Sequence, residues 1–249
     1  MIGDLKSEFR ALARANLANL DKQKERFRDK KINLFLQKII KNEIKKSPKK
    51  PKNLLLYAPL NLEVDIFPLI FYLKKQKNIK IFLPFVLQNG AEANRAFKIV
   101  PFRLPLAKNK YNIFEAKNSN FVNFDKIDVA VVPILGADCA FRRIGFGKGM
   151  FDRFFGRFMR DSRQSVGKYK MPRIIFVSRI LHFSNAKISE NYDIKGDILV
   201  AARGKTYDFH SSWIKHNYFL RPFVLSSAKI LHKRRESSRR TSANQSKRD

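Results

Sequence analysis

A single cysteine in 249 residues leaves no internal disulfide framework to hold this chain together. Ten glycines and ten prolines are too few for a collagen-like or low-complexity chain. Acidic residues are scarce as well: 21 Asp and Glu face 52 Lys and Arg, giving a net charge of +31. Long hydrophobic runs are missing. The most apolar stretch, Leu54 to Leu73, is interrupted by Glu63, Asp65 and two prolines, whereas a bilayer span needs about 20 predominantly apolar residues. Asp4, Lys6, Glu8 and Arg10 break up the N-terminus before the apolar region of an export signal could form. Together these absences predict a reducing, cytoplasmic setting and no membrane partner.

What remains suffices for a core. Hydrophobic residues make up 44% and aromatics 12%, so the charge sits on a folded protein rather than on a disordered polybasic chain. Residues 214–249 hold +8 of the surplus and the rest is spread over residues 1–213. A diffuse surplus attracts anions without choosing among nucleic acid, anionic lipid and small phosphorylated or carboxylated substrates.

Apolar residues at three- and four-residue steps predict a helix from Asp4 to about Leu20 and a second from Lys22 to Lys46, ending before Ser47-Pro48. Short apolar runs predict strands at Asn53–Tyr57, Ile79–Pro84, Ala96–Val100, Asp128–Pro133, Arg173–Val177 and Asp197–Ala201. Helices are expected up to about Lys75, with Pro68 near the start, and over Gly149–Arg160. Strands alternating with helices imply a three-layer α/β/α fold around a mostly parallel sheet. We expect one domain over residues 1–213 and a basic extension over 214–249, disordered from about Lys233, where Ser, Arg and Lys crowd out apolar residues. Arg221–Leu225 is apolar enough to dock on the body.

The stretch from Val131 to Phe155 carries the chemistry. An apolar strand ends at Pro133, a polar loop is expected next, and Gly145, Gly147 and Gly149 alternate before a helix. Alternating glycines admit a ligand to the backbone amides, and amides before a helix start attract anions. Arg143 and Lys148 add charge, the first as a bidentate fork and the second as a point. Two phosphate-loop patterns fail here. Arg142 and Gly149 occupy positions where the Walker pattern needs Gly and Ser/Thr, and the third glycine comes one residue early for G-x-G-x-x-G.

Arg143-Ile144-Gly145-Phe146-Gly147-Lys148-Gly149-Met150-Phe151-Asp152, after Val132-Pro133-Ile134-Leu135-Gly136, closely resembles the signature of the 5-formyltetrahydrofolate cyclo-ligase family. Lys6-Ser7-Glu8-Phe9-Arg10, Tyr57 to Asp65, Lys80 to Pro84 and Glu190 to Asp197 resemble further family landmarks in order, so the likeness spans about residues 4–206. It implies ATP- and Mg2+-dependent closure of 5-formyltetrahydrofolate to 5,10-methenyltetrahydrofolate, with ADP and phosphate released. In that scheme the formyl oxygen attacks the γ-phosphate, N10 closes the ring on the imidate phosphate, and phosphate leaves.

Residue by residue, the resemblance implies nucleotide contacts at Lys6, Arg10 and Arg143 through Phe151, namely Arg143, Ile144, Gly145, Phe146, Gly147, Lys148, Gly149, Met150 and Phe151. It implies folate contacts at Ala58, Glu63, Phe146, Gly147, Lys148, Gly149 and Met150, Mg2+ contacts at Asp152 and Asp193, and catalytic roles for Arg143 and Lys148. Alone, Lys6 and Arg10 would read as solvated helix cations, and Glu63 as a residue favouring a helix start. Met150-Phe151 replaces the family's tyrosine pair, removing two hydroxyls that could reach a ligand, and Tyr192 stands in place of the histidine before Asp193. Cys139 has no histidine near it in sequence, and His182, His210, His216 and His232 show no zinc-ligand spacing. Two alternatives stay open at this level: a family member that binds nucleotide without closing the ring, and a basic nucleic-acid-binding protein, although no such motif is recognisable. Arg143→Ala or Lys148→Ala should weaken phosphate handling with little loss of fold.

Overall fold

The structure is a computed structural model that describes residues 2–46, 50–87, 97–116, 120–123, 126–164, 171–201, 205–208 and 223–225. The expected disorder of Lys233–Asp249 lies outside the described residues. Two helices open the chain, α1 (Ile2–Ala18) and α2 (Lys22–Lys45), followed by β1 (Lys52–Leu55), α3 (Phe67–Lys74), β2 (Ile79–Val86) and β3 (Phe97–Pro101). A short hairpin, β4 (Leu106–Lys108) and β5 (Phe114–Ala116), leads to β6 (Val129–Pro133), β7 (Gly136–Asp138), β8 (Arg143–Ile144) and α4 (Met150–Gln164). The chain continues through β9 (Arg173–Ser178), β10 (His182–Ser184), β11 (Ile198–Ala201), β12 (Lys205–Asp208) and β13 (Phe223–Leu225).

The main sheet has seven strands in the order β12-β11-β9-β6-β1-β2-β3. Its inner pairings are parallel, and the edge strands β3 and β12 pair antiparallel. Strand alternation explains the layering. Leu54, Ile81, Val129, Val131, Ile175 and Val200 pack under α2 and α3 with Leu36, Ile40, Leu69 and Leu73. Leu55, Phe82, Ala130, Val132, Phe176 and Leu199 face the other way, toward Phe155 of α4. This is the expected three-layer α/β/α arrangement with a mostly parallel sheet. Asp21 caps α2, its Oδ1 accepting from the amides of Gln23 at 2.9 Å and Lys24 at 3.0 Å. Pro68 sits in the first turn of α3, where its missing N–H has no intrahelical partner to lose.

A second sheet, β13-β10-β7-β8, was not anticipated. Against it lies α1, through Phe9, Ala13 and Leu17 on Leu135, Ile144 and Ile188. Phe223–Leu225 run parallel to β10, so part of the apolar segment in the C-terminal extension does join the body. Among the described residues no helix is long and apolar enough to cross a membrane.

Candidate active site

The expected polar loop after Pro133 is instead buried: residues 131–138 are all inaccessible, and Gly136–Asp138 forms a strand. The buried Asp138 carboxylate ties this region together. It accepts from the amides of Ala140 (3.1 Å), Arg142 (3.3 Å), Ile188 (3.0 Å) and Ser189 (2.8 Å). Gly136 has no room for a side chain, since a Cβ there would lie 2.4 Å from the His182 carbonyl oxygen.

Beyond β8, residues 145–149 separate two cavities. An apolar one of about 410 Å³ lies over the C-terminal ends of β1 and β6, where open α/β sheets place ligands. Tyr57, Ala58, Glu63, Pro133, Arg143, Phe146, Lys148, Met150 and Phe151 border it. A polar cavity of about 650 Å³ lies on the other side, bordered by Lys6, Arg10, Gly147, Asp152, Arg153, Tyr192 and Asp193. Phe146, Lys148 and Met150 face the apolar space, Gly147 the polar one, and Gly149 borders both. Gly147 (φ 96°) and Gly149 (φ 60°) occupy the left-handed region that permits this path. From α1, Arg10 Nε donates to the Gly145 carbonyl at 3.0 Å, and Arg14 Nη2 donates to that of Phe146.

Gly145 serves a different end from the one its spacing suggested. A Cβ there would sit 2.5 Å from Cζ of Arg143, so this glycine makes room for a guanidinium. Arg143 is buried. Its Nη1 pairs with Asp152 Oδ2 at 2.6 Å, its Nε donates to the Pro133 carbonyl at 3.2 Å, and its Cζ lies 5.3 Å from the Phe151 ring centroid. The expectation that Arg143→Ala would spare the fold is therefore corrected, because that change strands a buried carboxylate. Lys148 is exposed, so Lys148→Ala leaves no buried charge without a partner. Ile144 reaches neither cavity; its side chain joins Phe9 and Leu17 in the core beneath α1.

Asp152 and Asp193 border the same polar cavity. Asp152 Oδ1 also accepts from the Ile194 amide at 3.3 Å. Asp193 pairs with the buried Lys6 ammonium, and its Oδ2 accepts from the Glu190 amide at 2.7 Å. Two hard oxygen donors beside an open polar cavity suit Mg2+, which commonly takes one or two carboxylates and leaves the rest to water and phosphate. Among the described residues no three His, Cys, Asp or Glu side chains form an all-protein cage.

Glu63 lies in the turn between β1 and α3, ahead of the Ile66 helix cap, so it does not serve the helix start. Its Oε2 accepts from the Leu60 amide at 3.0 Å. Burial of the carboxyl pushes its pKa up to about 7, outweighing that hydrogen bond and the attraction of Arg143 and Arg179. A carboxyl held near neutrality on a cavity wall is a candidate ligand contact.

Sequence reasoning missed several residues here. Arg14 was within reach, since it follows Lys6 and Arg10 at four-residue steps on one helical face. Arg153 was not, because its Nη2 meets the Lys148 carbonyl (2.6 Å) through a local fold of the loop. Tyr192, the histidine replacement, stands exposed at the polar cavity with Lys6 Nζ 5.4 Å from its ring centroid. Cys139 is exposed, and partial desolvation of its thiol together with the Asp138 charge raises its pKa, opposite to an activated nucleophile. His182 is fully buried, Nδ1 lying 3.0 Å from the Leu135 carbonyl oxygen.

The sequence profile of the 5-formyltetrahydrofolate cyclo-ligase family matches residues 4–177, well over half the chain. Among solved structures, the 5,10-methenyltetrahydrofolate synthetase of Aquifex aeolicus superposes with a TM-score of 0.59 at 24% identity, over 83% of this chain and 94% of that one. The 5,10-methenyltetrahydrofolate synthetase of Mycoplasma pneumoniae gives 0.55 at 18% identity, over 78% and 97%. At such identities these two establish a shared fold. No curated protein sequence matches the chain significantly. The fold and the profile agree, and the chain belongs to the 5-formyltetrahydrofolate cyclo-ligase family.

Proposed function

We propose that the chain is an ATP- and Mg2+-dependent 5-formyltetrahydrofolate cyclo-ligase that binds folate in the apolar cavity and nucleotide phosphates in the polar one. The alternation along residues 146–149 is the observation that supports this reading most: side chains face the apolar space, and the glycines open the backbone to the polar one. Both substrates then meet at Gly149, where a phosphoryl group can pass from one to the other.

Phe146, Met150 and Phe151 form the apolar surface for the fused ring, with Ala58 at the end of β1. Phenyl and thioether groups at 150 and 151 supply contact area without hydroxyl bonds. Ionised Glu63 accepts from folate N–H groups and so orients N5 and its formyl group. On the polar side, Lys6, Arg10 and the amides of Gly147 and Gly149 hold the phosphates. Lys148, on the loop between the cavities, neutralises charge on the transferring phosphoryl group. Arg143 acts from below, keeping Asp152 at the start of α4. Asp152 and Asp193 would hold Mg2+, which when bound neutralises phosphate charge. The formyl oxygen attacks the γ-phosphorus and ADP departs. N10 then attacks the activated carbon, its proton passes to solvent, and phosphate leaves with the formyl oxygen. Positioning supplies most of the rate in such a scheme.

Absorbance of the methenyl product tests this reading. Purified protein should convert 5-formyltetrahydrofolate only when both Mg2+ and ATP are present. Mg·ATP binding without any methenyl product would replace it with a nucleotide-binding member that has lost ring closure, and salt-sensitive nucleic-acid binding without turnover would favour a polyanion-binding role.

A further inference from the structure

Behind the Glu63 turn lies a buried charge network that the site described above does not use. Arg179 follows β9, two residues beyond the family match, and is 6% exposed. Its Nε and Nη2 grip Asp29 of α2 bidentately, at 2.8 Å to Oδ1 and 2.9 Å to Oδ2. Its Nη1 lies 3.3 Å from Glu25 Oε1 and donates to the Asn61 carbonyl at 3.0 Å. Asp29 Oδ2 in turn accepts from the Asp65 amide at 3.0 Å. Asn33 Nδ2 donates to the Asp65 carbonyl at 2.8 Å, and the Tyr57 hydroxyl donates to that of Val64 at 2.9 Å.

These contacts converge on the backbone of one turn. The carbonyls of 61, 64 and 65 and the amide of 65 are all held from the core side, while Glu63 stands on the cavity side of the same turn. Simple packing of α2 against the sheet would not call for this arrangement. Burying a guanidinium with two carboxylates is often no more stabilising than apolar filling of the same space. What the network supplies instead is direction, because a bidentate fork fixes both distance and plane. Arg179 also acts on Glu63 through its charge, opposing the effect of burial.

We infer that Arg179 is a positioning residue for Glu63: through Asp29 and the Asn61 carbonyl it fixes the turn from Asn61 to Asp65 and so sets where the Glu63 carboxyl meets the folate ring. The inference rests on the reading of Glu63 as a folate contact. A residue acting this way affects one substrate and spares the other, since the nucleotide cavity lies across the loop from the turn.

Steady-state kinetics of Arg179→Lys and Asp29→Asn test it, with Glu63→Gln in parallel and circular dichroism to confirm folding. Lysine keeps the charge and loses the fork; asparagine keeps the shape and loses the charge. Each should raise the KM for 5-formyltetrahydrofolate about fivefold or more while the KM for ATP stays within about twofold, because loss of orientation at a single contact is read at that substrate. If Glu63→Gln raises the folate KM but both network variants leave it unchanged, or raise both KM values equally, the positioning role is overturned and the reading of Glu63 stands. If Glu63→Gln leaves folate binding untouched, that reading falls and the inference with it. Should Arg179→Lys fail to fold, Asp29→Asn gives the same comparison, and loss of fold in both assigns the network to stability alone and overturns the inference.

Discussion

Arg143 and Asp152 form a buried ion pair at 2.6 Å, joining β8 to the first turn of α4 directly beneath the loop that separates the two cavities. The pair explains why a side chain at 145 would displace the guanidinium, and it holds Asp152 at the polar cavity. It also separates two cations that look equivalent in the sequence. Arg143→Ala should destabilise the protein by about 3–5 kcal/mol by leaving Asp152 buried without its partner. Lys148→Ala should leave the denaturant midpoint unchanged and lower kcat. Urea unfolding of the two variants beside wild type checks the contrast.

Glu63 predicts a pH dependence of definite sign. Its folded pKa of about 7 lies above the ordinary carboxyl value of 4.5, so the native state binds more protons between those values than the unfolded chain does. Its contribution to stability is therefore present below pH 4.5 and is lost as pH rises toward 7, by at most about 3 kcal/mol. Glu63→Gln should remove that slope, giving a Tm advantage over wild type that grows from pH 5 to pH 8. Folate binding should move the opposite way if the ionised carboxylate is the acceptor: kcat/KM for folate rises through pH 7 in wild type and is flat in Glu63→Gln.

Gly149 borders both cavities with φ 60°, and a Cβ there would lie 2.9 Å from Arg153 Nη1. Gly149→Ala should cost about 1–2 kcal/mol of backbone strain. Its larger effect should fall on kcat, because the loop moves where the substrates meet. Stopped-flow and equilibrium ATP binding separate the two: nucleotide affinity falls a few-fold, and product formation falls more than tenfold.

Asp193→Asn weakens the partner of the buried Lys6 ammonium. A raised Mg2+ concentration for half-maximal turnover, with folate KM unchanged, is the expected result.

The main sheet was legible because its inner strands carry short apolar runs, most completely in Val129–Pro133, where every residue is buried. The second sheet was not, since its strands are only two or three residues long and show no usable period. The 143–152 segment disclosed the site through its glycines, yet not the division of labour within it: Gly145 answers to Arg143, whereas Gly147 faces the polar cavity. Arg179 and Asp29 were invisible because 150 residues separate them and neither has a local pattern. Of the +31 net charge, the cations bordering the polar cavity are few: Lys6, Arg10 and Arg153.

The central claim, that the two cavities bring the formyl oxygen and the γ-phosphorus together, is tested most directly by isotope transfer. 5-Formyltetrahydrofolate carrying oxygen-18 in its formyl group is incubated with the protein and Mg·ATP, and the released phosphate is analysed by mass spectrometry. The account predicts one labelled phosphate for each methenyl ring formed. Ring closure with unlabelled phosphate and the label in water, or phosphate release without ring closure, would contradict it.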